Sequence, residues 1–257
     1  MTPQLAELLT FANDLADLAA PIARRHFRSA HDVESKPDQT PVTIADRAIE
    51  TALRDRIEQR YPEHGIYGEE HGTARLDAEF VWVVDPIDGT KAFASGNPLF
   101  GTLIGLMQRG TPIAGVVDAP ALGERYHGAL GAGSFRNGTE RLRTRDVARV
   151  DDAVLYCTTP DLLLDHRGHR ALRARSRWTS FGGDCMAYAW LAAGTADVVV
   201  DTTLKPFDWC ALVPIVREAG GELHDWHGAP LTLDSPGDAI AAATPSLAAS
   251  VREVLAG

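Results

Sequence analysis

Apolar residues return every three or four positions at the start of the chain: Leu5, Leu8, Leu9, Leu15, Leu18 and Ile22 share one side of a helix. Thr2 before Pro3 marks its beginning, since a hydroxyl accepts a free N–H of the first turn and proline is pre-set for that turn. A polar, turn-rich segment runs from His31 to Thr40. A second helix is predicted from Thr43, with Ile44, Ala48, Ile49, Ala52, Leu53 and Ile57 on one face and an end at Tyr61-Pro62.

The period then shortens. Gly65 to Tyr67 reads as a short strand, and the aromatic, β-branched run Phe80 to Val84 as a buried one that stops at the turn D-P-I-D-G-T, Asp85 to Thr90. Leu99 to Met107, Ile113 to Val117 and Arg125 to Leu130 read as strands of an antiparallel sheet, separated by turns rich in Gly and Pro. Past the polar stretch Arg141 to Asp151 the elements alternate. Strands at Ala153 to Cys157, Asp197 to Val200, Glu222 to Leu223 and Ala239 to Ala243 interleave with helices at Leu162 to Arg173, Ala187 to Ala193 and Trp209 to Ala219. A last helix follows Thr244-Pro245. The pattern predicts an α+β half over 1–145 and an α/β half over 146–257, with no internal repeat.

Composition narrows what such a chain can do. With 257 residues and 45% apolar content it can bury one large core or two abutting ones. The net charge of −10, with Lys and Arg scattered singly, argues against nucleic acid as a partner. Cys157, Cys185 and Cys210 are an odd number without C-x-x-C spacing, which fits a reducing compartment rather than a disulfide framework. Glu7, Asp14 and Asp17 interrupt the first apolar pattern, and no stretch is apolar enough to span a bilayer, so the expectation is a cytoplasmic protein without a membrane partner.

The chemistry concentrates in acids. In D-P-I-D-G-T, Pro86 and Gly89 turn the chain sharply and leave Asp85, Asp88 and nearby carbonyls facing one point, which suits a hard cation such as Mg²⁺; an ordinary Asp-Gly turn is the other reading. Gly89 and Thr90 open a short helix whose free N–H groups suit phosphate, while Thr90 also reads as a simple cap. Glu69 and Glu70 in G-E-E, Asp46 three residues after Thr43, and Asp208 before W-C-A-L are further candidates. Their competing readings are a solvated loop, a capping box and an N-cap. The pairs His166/His169 and His224/His227 match no zinc signature and read as surface loops.

Taken in order, K36 then P-V-T-I-A-D46, G-E69-E, W-V-V-D85-P-I-D88-G-T90, F-D208-W and E-A-G-G resemble the inositol monophosphatase superfamily over nearly the whole chain. The resemblance implies a layered α-β-α-β-α sandwich, an active site between the halves, and two or three Mg²⁺ ions. It implies that Glu69, Asp85, the Ile87 carbonyl, Asp88 and Asp208 are metal ligands, with Asp85 bridging. It further implies that Gly89 and Thr90 hold phosphate, that Glu69 and Thr90 position the attacking water, and that Asp46 steadies Thr90. The substrate would be a small phosphate monoester, and relatives are commonly homodimers. Two departures, Thr40 where inositol phosphatases carry Asp and Phe207 where they carry Trp, remove no metal ligand.

The runs F-G-G-D-C-M-A-Y-A-W and K-P-F-D-W-C look closest to the histidinol-phosphatase branch. Asp184 stands where polyol-handling relatives carry a small residue, and a carboxylate there suits the ammonium of histidinol phosphate; as a helix cap it would have no such role. Asp201 and Asp88 are the other substrate-contact candidates. The alternatives are an inositol-1-monophosphatase or related sugar or nucleotide phosphatase, and a non-catalytic relative that binds metal or phosphate. An aspartyl phosphatase needs D-x-D, which the D-x-x-D spacing here does not offer.

Overall fold

A computed structural model describes residues 1–29, 34–35, 41–42, 44–163 and 165–257. The helices are α1 (Pro3–His26), α2 (Ile44–Arg60), α3 (Thr90–Ala94), α4 (Arg167–Arg175), α5 (Cys185–Ala192), α6 (Pro206–Trp209), α7 (Leu212–Glu218) and α8 (Pro245–Ala256). The strands begin with the small pair β1 (Glu34–Ser35) and β2 (Pro41–Val42). A larger set follows: β3 (Gly65–Gly68), β4 (Gly72–Ala74), β5 (Phe80–Asp88), β6 (Gly101–Gln108), β7 (Thr111–Ala119), β8 (Glu124–Ala129), β9 (Gly133–Arg136) and β10 (Glu140–Arg141). The last are β11 (Val154–Cys157), β12 (Trp178–Phe181), β13 (Val198–Asp201), β14 (Glu222–His224) and β15 (Ala239–Ala242).

Eight strands form one sheet in the order β10-β9-β8-β7-β6-β5-β3-β4, antiparallel except where β3 runs parallel to β5. Five form a mixed sheet, β12-β11-β13-β15-β14. Side chains alternate across each strand, and that period of two builds the layers. On β5, Trp82 and Val84 join α1 and α2, whereas Val81 and Val83 face α5 and α7. On β13, Val199 faces that same helix layer from the other side, and Val198 and Val200 pack with α4 and α8. The result is the expected α-β-α-β-α sandwich, with one layer of helices buried between two sheets.

A row of glycines lets that middle layer approach the first sheet. Gly105, Gly115 and Gly128 are register partners on β6, β7 and β8. A Cβ on Gly115 would lie 1.9 Å from the Ala211 carbonyl oxygen, and one on Gly128 would lie 2.8 Å from the Ile215 Cα. Helix backbone thus rests almost directly on sheet backbone, and this seating fixes the height of the segment that carries Asp208.

Thr2 Oγ1 accepts the Leu5 N–H at 3.2 Å and Thr244 Oγ1 accepts the Leu247 N–H at 3.1 Å, so both predicted caps are present. Leu18 and Ile44, placed on apolar faces by periodicity, are instead exposed. The helix predicted over Trp209 to Ala219 is two helices, because the Pro214 ring excludes the carbonyl of residue 210 from an unbroken helix. The one expected from Leu162 begins only at Arg167, after a 3₁₀ turn at Pro160–Leu163. Strands β4, β9, β10 and β12 are short, polar or Gly-bearing, and periodicity did not reveal them. The histidine expectation also needs correction. His169 lies fully buried on α4, where desolvation lowers its pKa, and His224 lies buried on β14 between the Asp225 carbonyl and Arg252. Lys36, Thr40 and Thr43 lie outside the described residues. Among the described residues no helix is long and apolar enough to cross a membrane.

Gly115→Ala should cost roughly 3 kcal/mol in chemical denaturation, because two backbones must separate. Gly110→Ala, whose Cβ would meet nothing although its φ is +79°, should cost only about 1 kcal/mol. Equal losses would contradict the close seating.

Candidate metal and phosphate site

The site grows from the end of β5. Between Asp85 and Asp88 the pairing with β6 slips, so the chain leaves the ladder in a bulge. Asp85 Oδ1 accepts the Ile87 N–H at 3.0 Å, and Thr102 Oγ1 on β6 donates to the Pro86 carbonyl at 2.7 Å, which pins the bulge from the neighbouring strand. Gly89 then takes a left-handed φ of 83°, and a Cβ there would press on the Leu99 carbonyl and the Asp184 carboxylate. Thr90 opens α3 and donates its hydroxyl to the Ile87 carbonyl at 3.0 Å.

Other elements bring the remaining acids. Glu69 sits in the hairpin between β3 and β4. Asp208 is the third residue of α6 and not the N-cap expected of it; Lys205 is the N-cap, and Asp208 Oδ2 accepts the Lys205 N–H at 2.6 Å. One carboxylate oxygen from each of Asp85, Asp88 and Asp208 lies within 4.8 Å of the others. Asp85 is buried, and desolvation followed by the charges of Glu69, Asp88 and Asp208 holds its pKa well above the carboxylate range. Desolvation and Asp208 raise Asp88 to about 7, against the lowering effect of the Cys185 N–H, which donates to its Oδ2 at 2.5 Å. Asp208 also reaches about 7, raised by desolvation and lowered by the Lys205 N–H. Acids gathered until they resist ionising are a donor set for a hard divalent cation, whose charge removes both penalties at once.

The cavity over this cluster has two lobes that share Asp88, Thr159, Asp184 and Asp208. One, of about 190 Å³, is lined by Glu69, Asp85, Ile87, Gly89, Thr90 and Lys91. The other, of about 200 Å³, is lined by Thr158, Tyr188, Asp201 and the turn Thr202, Thr203 and Leu204. Asp184 precedes α5 with a φ of 44° and makes no side-chain capping bond, so the helix-cap reading does not account for it. Desolvation and the charges of Asp88 and Asp201 raise its pKa to about 8, with Lys91 pulling the other way. Both Asp201 oxygens are already engaged: Oδ1 accepts the Thr158 N–H at 2.8 Å, and Oδ2 accepts the Tyr188 hydroxyl at 2.9 Å. Asp46 is fully buried in the first turn of α2 and is not among the described residues lining either lobe. Sequence reasoning passed over Thr102, Lys91 and Tyr188; only Lys91, next to Thr90 in the turn, carried a signal that could have found it.

The model of the inositol monophosphatase family matches residues 4–256. The chain belongs to that family. It is therefore a phosphatase of the inositol monophosphatase type, acting on small phosphate monoesters. It is 40% identical over 255 residues to a chloroplastic bifunctional phosphatase of Arabidopsis thaliana, IMPL2, covering 98% of this chain and 73% of that protein. A histidinol-phosphatase of Chlorobaculum parvum is 36% identical over 241 residues, covering 92% of this chain and 91% of its own length. The solved inositol monophosphatase of Zymomonas mobilis superposes with a TM-score of 0.91 at 39% identity, covering 100% of both chains. Family membership and the acid cluster together agree on a metal-dependent centre.

The raised pKa values fix a pH dependence. Asp88 and Asp208 hold protons up to about pH 7 in the folded metal-free protein, whereas the unfolded side chains release theirs near 3.8. Their contribution to stability is therefore full below about pH 4 and lost as pH rises through about 7. Asp88→Asn should flatten the fall of the metal-free melting temperature between about pH 5 and 7.5. Magnesium should raise that temperature more at the upper end. An unchanged slope in the variant would refute the coupling.

Proposed function

We propose that the protein hydrolyses histidinol phosphate, using Mg²⁺ ions held by Glu69, Asp85, the Ile87 carbonyl, Asp88 and Asp208. The carboxylate cluster within 4.8 Å supports the metal part of this reading. The cluster is all oxygen, includes one buried carboxylate, and opens onto a cavity with room for water and a phosphoryl group, which is the donor set Mg²⁺ favours. When bound, Mg²⁺ supplies positive charge to the phosphoryl oxygens and to the leaving oxygen.

The chain's own groups do the rest. The N–H groups of Gly89 and Thr90 hold the phosphate, and Lys91, lining the same lobe, adds a cation beside it. The Thr90 hydroxyl and Glu69 orient the attacking water, with the Glu69 carboxylate taking its proton. Water adds to phosphorus as the bond to the leaving oxygen breaks, and that oxygen takes a proton from solvent to leave as the alcohol, so no enzyme-bound phosphoryl group forms. Thr90 is oriented through the Ile87 carbonyl, to which its hydroxyl donates. Asp46, buried in the first turn of α2, steadies Thr90.

Asp184 carries the choice of substrate. It borders both lobes, makes no capping bond, and lies in a pocket where a cation would relieve the repulsion from Asp88 and Asp201. The ammonium of histidinol phosphate provides that cation. Asp201, occupied by Thr158 and Tyr188, shapes the lobe and leaves Asp184 as the acceptor. A polyol phosphate is the second reading, favoured by the hydroxyls of Thr158, Thr202 and Thr203 in the second lobe.

With Mg²⁺ present, turnover of histidinol phosphate should exceed that of inositol 1-phosphate, fructose 1,6-bisphosphate and 3′-phosphoadenosine 5′-phosphate. Asp184→Asn should lower kcat/KM for histidinol phosphate by about 10- to 100-fold, the loss of a charged hydrogen bond, while leaving inositol 1-phosphate within about threefold. Asp85→Asn should fold and lose about a thousandfold in kcat, and chelation should abolish turnover reversibly. Brisk turnover of another ester beside negligible turnover of histidinol phosphate would defeat the substrate assignment. Metal binding without phosphate release from any monoester would point instead to a binding relative.

A further inference from the structure

Glu50, on α2, is fully buried, far in sequence from every acid of the cluster, and has no part in the chemistry above. Its Oε2 accepts the Glu70 N–H at 2.6 Å and its Oε1 accepts the His71 N–H at 3.0 Å. Arg54, one turn on, donates from Nε to Oε1 at 2.7 Å and from Nη2 to the Gly72 carbonyl. Thr51 Oγ1 lies 3.2 Å from His71 Nε2. On the near side of the hairpin a Cβ at Gly68 would lie 1.9 Å from Glu50 Oε1, so the carboxylate is pressed against the backbone there. Glu69 is thus bracketed: the residue before it touches Glu50, and the two residues after it are hydrogen-bonded to Glu50.

We propose that Glu50 is a positioning residue that locks the Gly68 to Gly72 hairpin so that Glu69 meets Asp85 in the geometry a metal ion requires. This rests on the reading of Glu69 as a metal ligand. A buried carboxylate is an expensive way to close a three-residue turn if stability alone is at stake, since hydrophobic packing does as well without desolvating a charge. It is well suited to holding two successive N–H groups at one point, because it has two oxygens and no donor to misplace. Groups that hold a ligand in place are worth about 10- to 100-fold in metal affinity or activity. Gln at this position keeps the shape, but turns an NH₂ toward one of the two N–H donors and leaves that bond unmade.

The test measures metal binding directly. Mg²⁺ is titrated into substrate-free protein by calorimetry, and amide hydrogen exchange is followed at Glu70 and His71. Glu50→Gln should weaken Mg²⁺ binding by about tenfold, speed exchange at both amides by about tenfold, and lower kcat while KM for the phosphate ester stays within about twofold. Ile49→Val, a neighbouring core change that touches none of these bonds, should lower the melting temperature without altering Mg²⁺ affinity. If Glu50→Gln does not fold, Glu50→Asp, which keeps the charge and shortens the reach, should show the same shifts. Wild-type Mg²⁺ affinity and exchange in the folded variant, or losses matched by Ile49→Val, would overturn the proposal. Glu69→Gln separates the two levels. If it leaves Mg²⁺ affinity unchanged, the ligand role of Glu69 fails; if it weakens binding and the Glu50 variants do not, only the positioning role fails.

Discussion

Mutual repulsion among carboxylates withdrawn from water is the constraint around which this protein is organised. Asp85, Asp88 and Asp208 come from two elements of the fold, and nothing in their own chemistry favours their meeting. Burial and proximity push their protons on. The metal-free cluster is a local cost that the rest of the fold must outweigh, and one that a divalent cation held there would relieve.

Holding such a cluster needs a backbone that cannot relax away from it. The bulge in β5 is tied to β6 by Thr102, and the left-handed Gly89 is hemmed in by Leu99 and Asp184. Asp208 rides on a helix pair seated on the glycine row of the first sheet. The hairpin of Glu69 is bound to α2 through Glu50 and Arg54. Each acid therefore sits on backbone that is tied to, or packed against, another element.

The layering also divides labour. Most groups of the first lobe, Glu69 through Lys91, come from the first sheet and its turns, whereas Thr159, Asp184 and Asp208, which also line the second lobe, and Asp201 come from the middle helices, the second sheet and its loops. Asp201 and the turn Thr202 to Leu204 line the second lobe and not the first. A family with one reaction and many substrates is well served by that separation.

Much of this was legible along the chain. Period-two runs such as Phe80 to Val84 and period-3.6 runs such as Leu5 to Ile22 each encode burial on one face, and burial is a local property of the pattern. The D-P-I-D-G-T turn announced an oxygen-rich bend, because Pro and Gly dictate backbone angles wherever they stand. Other features were not legible. Strand β12 is four residues at a sheet edge, too short and too exposed to show a period, and the break before Leu212 depends on one proline in an apolar run. Whether Asp184 caps a helix or lines a cavity, and whether Glu50 is a surface acid or a buried one, turned on partners 95 and 20 residues away, at Gly89 and Glu70. The sequence by itself determined which residues prefer burial and where the backbone must turn, since those preferences belong to single side chains and their near neighbours. Only the tertiary structure decided which carboxylates share one cavity and what holds each in place, since Coulomb energy and hydrogen bonding depend on distance in space and not on distance along the chain.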